Sequence, residues 1–122
     1  MRLFKTRWFG RNARKMAISD SRLRDAIGRA QSGLVDADLG GHLIKQRVAR
    51  EGQGRSGGFR VIVAFDPDTR GIFLLAFAKN EKGNVTPNEL ESLKTIAATW
   101  MAADEATIDR AVNQGDLEEV FT

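Results

Sequence analysis

Ser56-Gly57-Gly58-Phe59-Arg60-Val61-Ile62-Val63-Ala64-Phe65 and its echo Phe73-Leu74-Leu75-Ala76-Phe77-Ala78-Lys79-Asn80-Glu81 decide the fold. Each reads as an apolar strand with a cation at one end, Arg60 where the first begins and Lys79 where the second stops. Between them Asp66-Pro67-Asp68-Thr69-Arg70-Gly71 has turn chemistry: Pro presets one φ, Asp side chains bond nearby backbone, and Gly tolerates positive φ. A short turn makes the strands antiparallel neighbours, so the start of one lies beside the end of the other. Arg60 and Lys79 are therefore expected to meet at one end of the sheet. Both strands are apolar on both faces, which places them in the sheet's interior.

Upstream, Leu43 and Ile44 open a third strand over 42–49. In it Lys45, Arg47 and Ala49 share one face while Gln46 and Val48 lie opposite. His42 at its start reads as an exposed or capping imidazole. The segment 50–58 contains a literal G-x-G-x-x-G, but a strand rather than a helix follows it, and no Lys-Ser/Thr pair follows Gly57. Neither a dinucleotide fingerprint nor a phosphate-binding P-loop fits. What remains is a glycine-rich basic loop, carrying Arg50 and Arg55, that joins two strands of a meander.

Outward from this meander, Met1 to Ala17 reads as a short strand or turn leading into a helix, its apolar residues docking on the sheet. Ser19 or Asp20 caps a helix with Leu23, Ala26, Ile27 and Ala30 inward and Gly33 as its stop. Residues 34–41 read as a loop; Asp36 and Asp38 hint at a cation, but with no third acidic ligand nearby and two glycines a plain loop is the reading. Thr86-Pro87-Asn88-Glu89 is a capping box opening a helix with Leu90, Leu93, Ile96, Ala97, Trp100 and Met101 on its core stripe. Asp104 caps a last helix, Gly115 ends it, and Leu117, Val120 and Phe121 read as an edge strand or a partner-binding tail. The expected architecture is α+β: a small antiparallel-rich sheet, centred on the three-stranded meander, with helices packed on one face. It forms a single domain over residues 1–122, about 1–102 as core and 103–122 as a C-terminal helix and tail.

With 122 residues and no cysteine, the chain can bury one core and holds neither disulfides nor a thiolate metal site. A lone His42 excludes an imidazole cluster. No apolar run nears the roughly 20 residues that span a bilayer, which points to a soluble cytoplasmic protein. The net charge of +3 hides an asymmetry: residues 1–60 carry 14 Lys/Arg against 5 Asp/Glu, and residues 61–122 carry 5 against 11. A basic half interleaved with Trp8, Phe9 and Phe59 points to a polyanionic partner.

The meander gathers Lys45, Arg47, Arg60, Lys79 and Lys82 near one sheet end, beside Arg50 and Arg55. No Ser-His-Asp set, thiol nucleophile or carboxylate pair accompanies them. Such a cluster can bind a phosphodiester and stabilise charge growing on it, with neither metal nor cofactor. If the diester is RNA, its own 2′-OH is the nucleophile. A lysine among cations has its charged form disfavoured and can take that proton, while arginines hold the phosphoryl oxygens and another lysine protonates the leaving 5′ oxygen. Phe59 is placed to stack on a base. A non-catalytic RNA or DNA binder carries the same kind of cluster.

The runs I-K-Q-R-V-A-R-E-G-Q-G-R-S-G-G-F-R-V-I-V-A-F and F-L-L-A-F-A-K-N-E-K-G-N-V-T-P-N-E-L resemble the RelE/HigB-type toxins of bacterial type II toxin–antitoxin modules, from the K-T-R-W-F opening to about residue 102. The resemblance implies a microbial-RNase-like fold and cleavage of mRNA in the ribosomal A site to a 2′,3′-cyclic phosphate. It assigns catalysis to Lys45, Arg47, Arg60, Lys79 and Lys82, beside which Arg50, Arg55, Phe59 and Asn80 are expected to contact RNA. It implies as partners a cognate antitoxin, of helix-turn-helix type, and mRNA on the ribosome, with no membrane. Asn80 stands where some relatives carry arginine, and Thr86 where some carry tyrosine. A gyrase- or DNA-directed relative, or an inactive toxin-derived binding module, are the other functions the same fold accommodates.

Overall fold

A computed structural model of the chain describes residues 1–50, 54–79 and 84–121, the side chains of residues 54–57 excepted. The elements run β1 (Arg2–Thr6), α1 (Arg7–Lys15), α2 (Asp20–Gln31), β2 (Ala37–Gly40), β3 (Leu43–Arg50), β4 (Gly54–Asp66), β5 (Arg70–Ala78), α3 (Pro87–Ala102), α4 (Glu105–Gln114) and β6 (Leu117–Val120). Capping chemistry sets the helix starts. Thr6, Ser19, Thr86 and Asp104 each accept a backbone N–H from the first turn, and Thr86 with Glu89 closes the capping box over Pro87. Gly115, at φ 81°, ends α4 in the left-handed conformation that glycine adopts without cost.

The expected meander β3-β4-β5 lies at the centre of a six-stranded sheet ordered β2-β3-β4-β5-β1-β6. The segment expected as a loop before β3 supplies the short edge strand β2, paired through Ala37 and Lys45. β1 runs parallel to β5, and β6 pairs antiparallel with β1. The sheet is therefore mixed and wider than the meander.

Helices cover both faces, which corrects the expectation of one. On one face α1 and α2 bury Phe9, Ala13, Leu23, Ala26 and Ile27 against Val48, Phe59, Val61, Val63 and Phe73. On the other, α3 and α4 bury Leu93, Ala97, Ile108 and Ala111 against Phe4, Leu43, Ile62, Ile72 and Phe77. This explains why β4 and β5 are apolar on both sides. Ile96, expected on the core stripe of α3, is 42% exposed; Leu90, Trp100 and Met101 pack at the margin.

A β-bulge decides which face the end of β5 presents. Val63 pairs with Phe73 but Ile62 pairs with Leu75, leaving Leu74 as the extra residue. Phe73 and Ala76, three apart, consequently share the α1/α2 face, and Leu74 and Phe77 share the other. Simple alternation from Phe73 puts position 79 with α1 and α2; the bulge turns it to the α3/α4 face.

Candidate active site

Arg47 and Arg60 are direct cross-strand partners, and Lys45 lies two residues back along β3 on the same face. Lys79 follows Ala78, the partner of Phe59, and the bulge delivers it to this face as well. Lys45, Arg47, Arg60 and Lys79 line one cavity of about 240 Å³, closed by Asp36 and Ala37 at the sheet's β2 edge. Four of the five expected catalytic cations thus come together from three strands. Lys82 lies outside the described residues.

The electrostatics of the cavity centre on Arg60, whose side chain is buried while Arg47 is exposed. Burial disfavours the Arg60 charge most and the facing Arg47 guanidinium disfavours it further, with Asp36 offsetting part. Its pKa is lowered from the ordinary arginine value, though a guanidinium stays protonated in any protein. Two like charges directly opposite on a sheet are destabilising. An anion seated between them relieves that repulsion, so the arrangement suits a phosphate. Arg60 donates to the Phe59 carbonyl at 3.3 Å, and Lys45 Nζ donates to Asn84 Oδ1 at 3.3 Å, tying the pocket to the start of the α3 segment.

A supporting layer fixes the β3 side of the pocket. Gln46 points opposite to Lys45 and Arg47 and is fully buried against α2. Its Nε2 donates to the Ala26 and Leu34 carbonyls at 2.9 and 3.2 Å, and its Oε1 accepts from the Asp36 N–H at 2.7 Å. Asp36 Oδ2 accepts from the Arg47 N–H at 2.7 Å and from Arg29 Nη1 at 3.3 Å, and Arg29 also donates to the Arg47 carbonyl. Asp36, read from sequence as part of a plain loop, and Arg29 and Gln46, given no part in the site, all support the pocket. Gln46 carried a signal, a polar residue at an inward-facing strand position; Asp36 carried none.

The expected RNA contacts divide. Phe59 lies on the α1/α2 face, 6% exposed, with the Arg50 guanidinium over its ring at 5.2 Å. The placement of Phe59 beside the clustered cations is thereby corrected: period-2 alternation puts residues 59 and 60 on opposite faces of β4. Arg50 goes with Phe59 to that other face. Asn80 and the Arg55 side chain lie outside the described residues. His42 is exposed in the β2–β3 turn at φ 65°, its carbonyl accepting from the Phe65 N–H at 2.8 Å, and takes no part in the pocket.

A family model described as the RelE toxin of the RelE / RelB toxin-antitoxin system matches residues 1–120. The chain belongs to the RelE toxin family. As a RelE-family protein it is the toxin of a toxin–antitoxin system, and an antitoxin is its partner. The α+β fold with its mixed sheet agrees with that membership. No described helix of this RelE-family chain is long and apolar enough to cross a membrane.

Proposed function

We propose that this toxin is an endoribonuclease that cuts mRNA on the ribosome, using the 2′-OH of the substrate as nucleophile and leaving a 2′,3′-cyclic phosphate. The observation that carries the reading is the shared cavity of Lys45, Arg47, Arg60 and Lys79. A scissile phosphodiester in that cavity takes its non-bridging oxygens to Arg60 and Arg47, whose forks match phosphate geometry. As the 2′ oxygen attacks phosphorus, negative charge grows on those oxygens, and preorganised guanidinium groups stabilise it. Lys45 and Lys79 are the candidates for accepting the 2′-OH proton and for protonating the leaving 5′ oxygen. Lys82 is carried as a further candidate from the sequence.

The scissile bond itself asks for no metal and no protein nucleophile, because the adjacent hydroxyl is already held near the phosphorus. The partners on this reading are mRNA in the ribosomal decoding site and an antitoxin of helix-turn-helix type, in the cytoplasm.

The test is cleavage of a translated mRNA by wild type, Arg60→Ala and Lys79→Ala, read by primer extension together with ribosome affinity. Each variant is expected to lose roughly 100-fold or more in cleavage rate, the scale of removing one group that stabilises developing charge, with little change in affinity. Variants that cut as fast as wild type overturn catalysis at this cluster.

A further inference from the structure

On the face of the sheet opposite the cation pocket lies a cavity of about 620 Å³, between α1 and the Phe59 and Ala76–Ala78 parts of β4 and β5. Trp8, Asn12, Lys15 and Met16 present one face of α1 to it, spaced as neighbours on successive turns, and Phe59 and Arg50 form the opposite wall. Trp8 is 57% exposed, an unusual amount for a tryptophan with an apolar cleft beside it. An adjoining cavity, sharing Met16, Arg50 and Phe59, adds Arg22. Lys15, Arg22 and Arg50 have no carboxylate partner among the described residues, and no described acid lines either cavity. Other α1 cations do: Arg7 and Arg14 pair with Asp116 and Glu118.

We infer that this groove is a second single-stranded RNA site, in which a base stacks on the Trp8 indole and the flanking phosphates meet Lys15, Arg22 and Arg50. Three features select a nucleotide. The exposed indole offers a π-face, and Arg50 already lies as a flat cation over Phe59, so a base entering between them stacks on both sides. The volume suits a small planar ligand rather than the long, shallow groove that receives an amphipathic helix. Finally, the groove and the cation pocket take consecutive residues of the same two chain segments, one on each face. Phe59 and Ala78 line the groove, and their immediate chain neighbours Arg60 and Lys79 line the pocket. Nucleotides flanking the scissile one can therefore run over the strand ends into the groove. The inference rests on the nuclease reading for which RNA is bound, and adds where the chain holds the strand away from the cut.

The test uses the full-length toxin and a single-stranded 2′-O-methyl RNA oligomer, which lacks the nucleophile and cannot be cut. Affinity is read by fluorescence polarisation and Trp8 quenching. Trp8→Ala is expected to weaken binding about tenfold, Trp8→Phe to restore most of it, and Lys15→Ala with Arg22→Ala to reduce the salt dependence. Arg60→Ala, by contrast, loses cleavage of natural RNA and keeps the Trp8-dependent quenching. Wild type that fails to bind the oligomer, or Trp8→Ala that binds it as tightly as wild type, overturns the inference. Trp8→Ala that binds RNA normally but no longer captures the antitoxin assigns the groove to the protein partner instead. Trp8-dependent binding by a toxin that never cuts RNA leaves the groove standing and removes the nuclease reading alone.

Discussion

Gln46 holds three backbone groups at once, the Ala26 carbonyl in the middle of α2 and the Leu34 carbonyl and Asp36 N–H in the segment before β2. Replacing it with leucine keeps the bulk but takes the side-chain partner from the Asp36 N–H and from the Leu34 and Ala26 carbonyls in a part-buried setting. A loss of roughly 1–3 kcal/mol in urea denaturation is expected, along with slower cleavage as Asp36 and Arg47 lose their anchor. An unchanged denaturation midpoint contradicts this role. At this scale the sequence was informative about residue type and less so about direction. Lys79 was legible as a cation at the end of its strand and Lys45 with Arg47 as a same-face pair, whereas Arg60, expected where its strand begins, is the seventh residue of β4, which starts at Gly54 within the stretch expected as a loop. Phe59 beside Arg60 was misread because adjacency in sequence was taken for adjacency in the site, whereas in a strand it means opposite faces.

Helix α4 and its junction with α3 depend on charge. Asp104 caps α4, and its pKa is lowered chiefly by the Thr107 backbone N–H; that of Glu105 is lowered first by Arg70 and then by Arg2. Arg70 also donates to the Trp100 and Ala103 carbonyls at 2.7 Å, so the same guanidinium closes the end of α3. Because both acids titrate lower when folded, their stabilisation is complete above their ordinary values. It is lost as pH falls through the folded ones. Thermal stability is expected to drop on acidification below about pH 4, and Glu105→Gln, which cannot ionise, to show a smaller drop. Parallel melting curves for the two proteins across that range rule out the ion pair as the cause. Most elements were legible from caps and periodicity: Thr86-Pro87 and Asp104 announced their helices. β2 was not, being four residues that gain strand geometry only from β3. Nor was the bulge at Leu74, since strands apolar on both faces leave no alternation to reveal a slip.

Across the whole molecule the charge asymmetry is spent in two ways. Acids from the C-terminal part pair with the N-terminal cations: Arg2 with Glu105, Asp109 and Glu119, Lys5 and Arg14 with Glu118, Arg7 with Asp116. Of the other described cations, Lys45, Arg47, Arg60 and Lys79 line the pocket and Lys15, Arg22 and Arg50 line the groove and the cavity beside it. The excess of charge was legible in the sequence; which cations are neutralised depends on β6 returning beside β1. The proposal that residues 1–122 fold as a single domain has a consequence here. Truncation after Ala102 removes Ile108, Ala111 and Leu117 from the core around Phe4, and cooperative unfolding should be lost; a truncated chain that melts as sharply as the full one contradicts it. The convergence of cations from β3, β4 and the end of β5 has its most direct test in the RNA rather than the protein. Cleavage by wild-type toxin is measured on ribosomes carrying an mRNA with a single 2′-deoxy nucleotide at the cut site, alongside the all-ribose mRNA. Cleavage of the ribose message to a 2′,3′-cyclic phosphate, with none at the deoxy position, is expected; a deoxy message cut at the same place and rate would mean that the pocket works by some other chemistry.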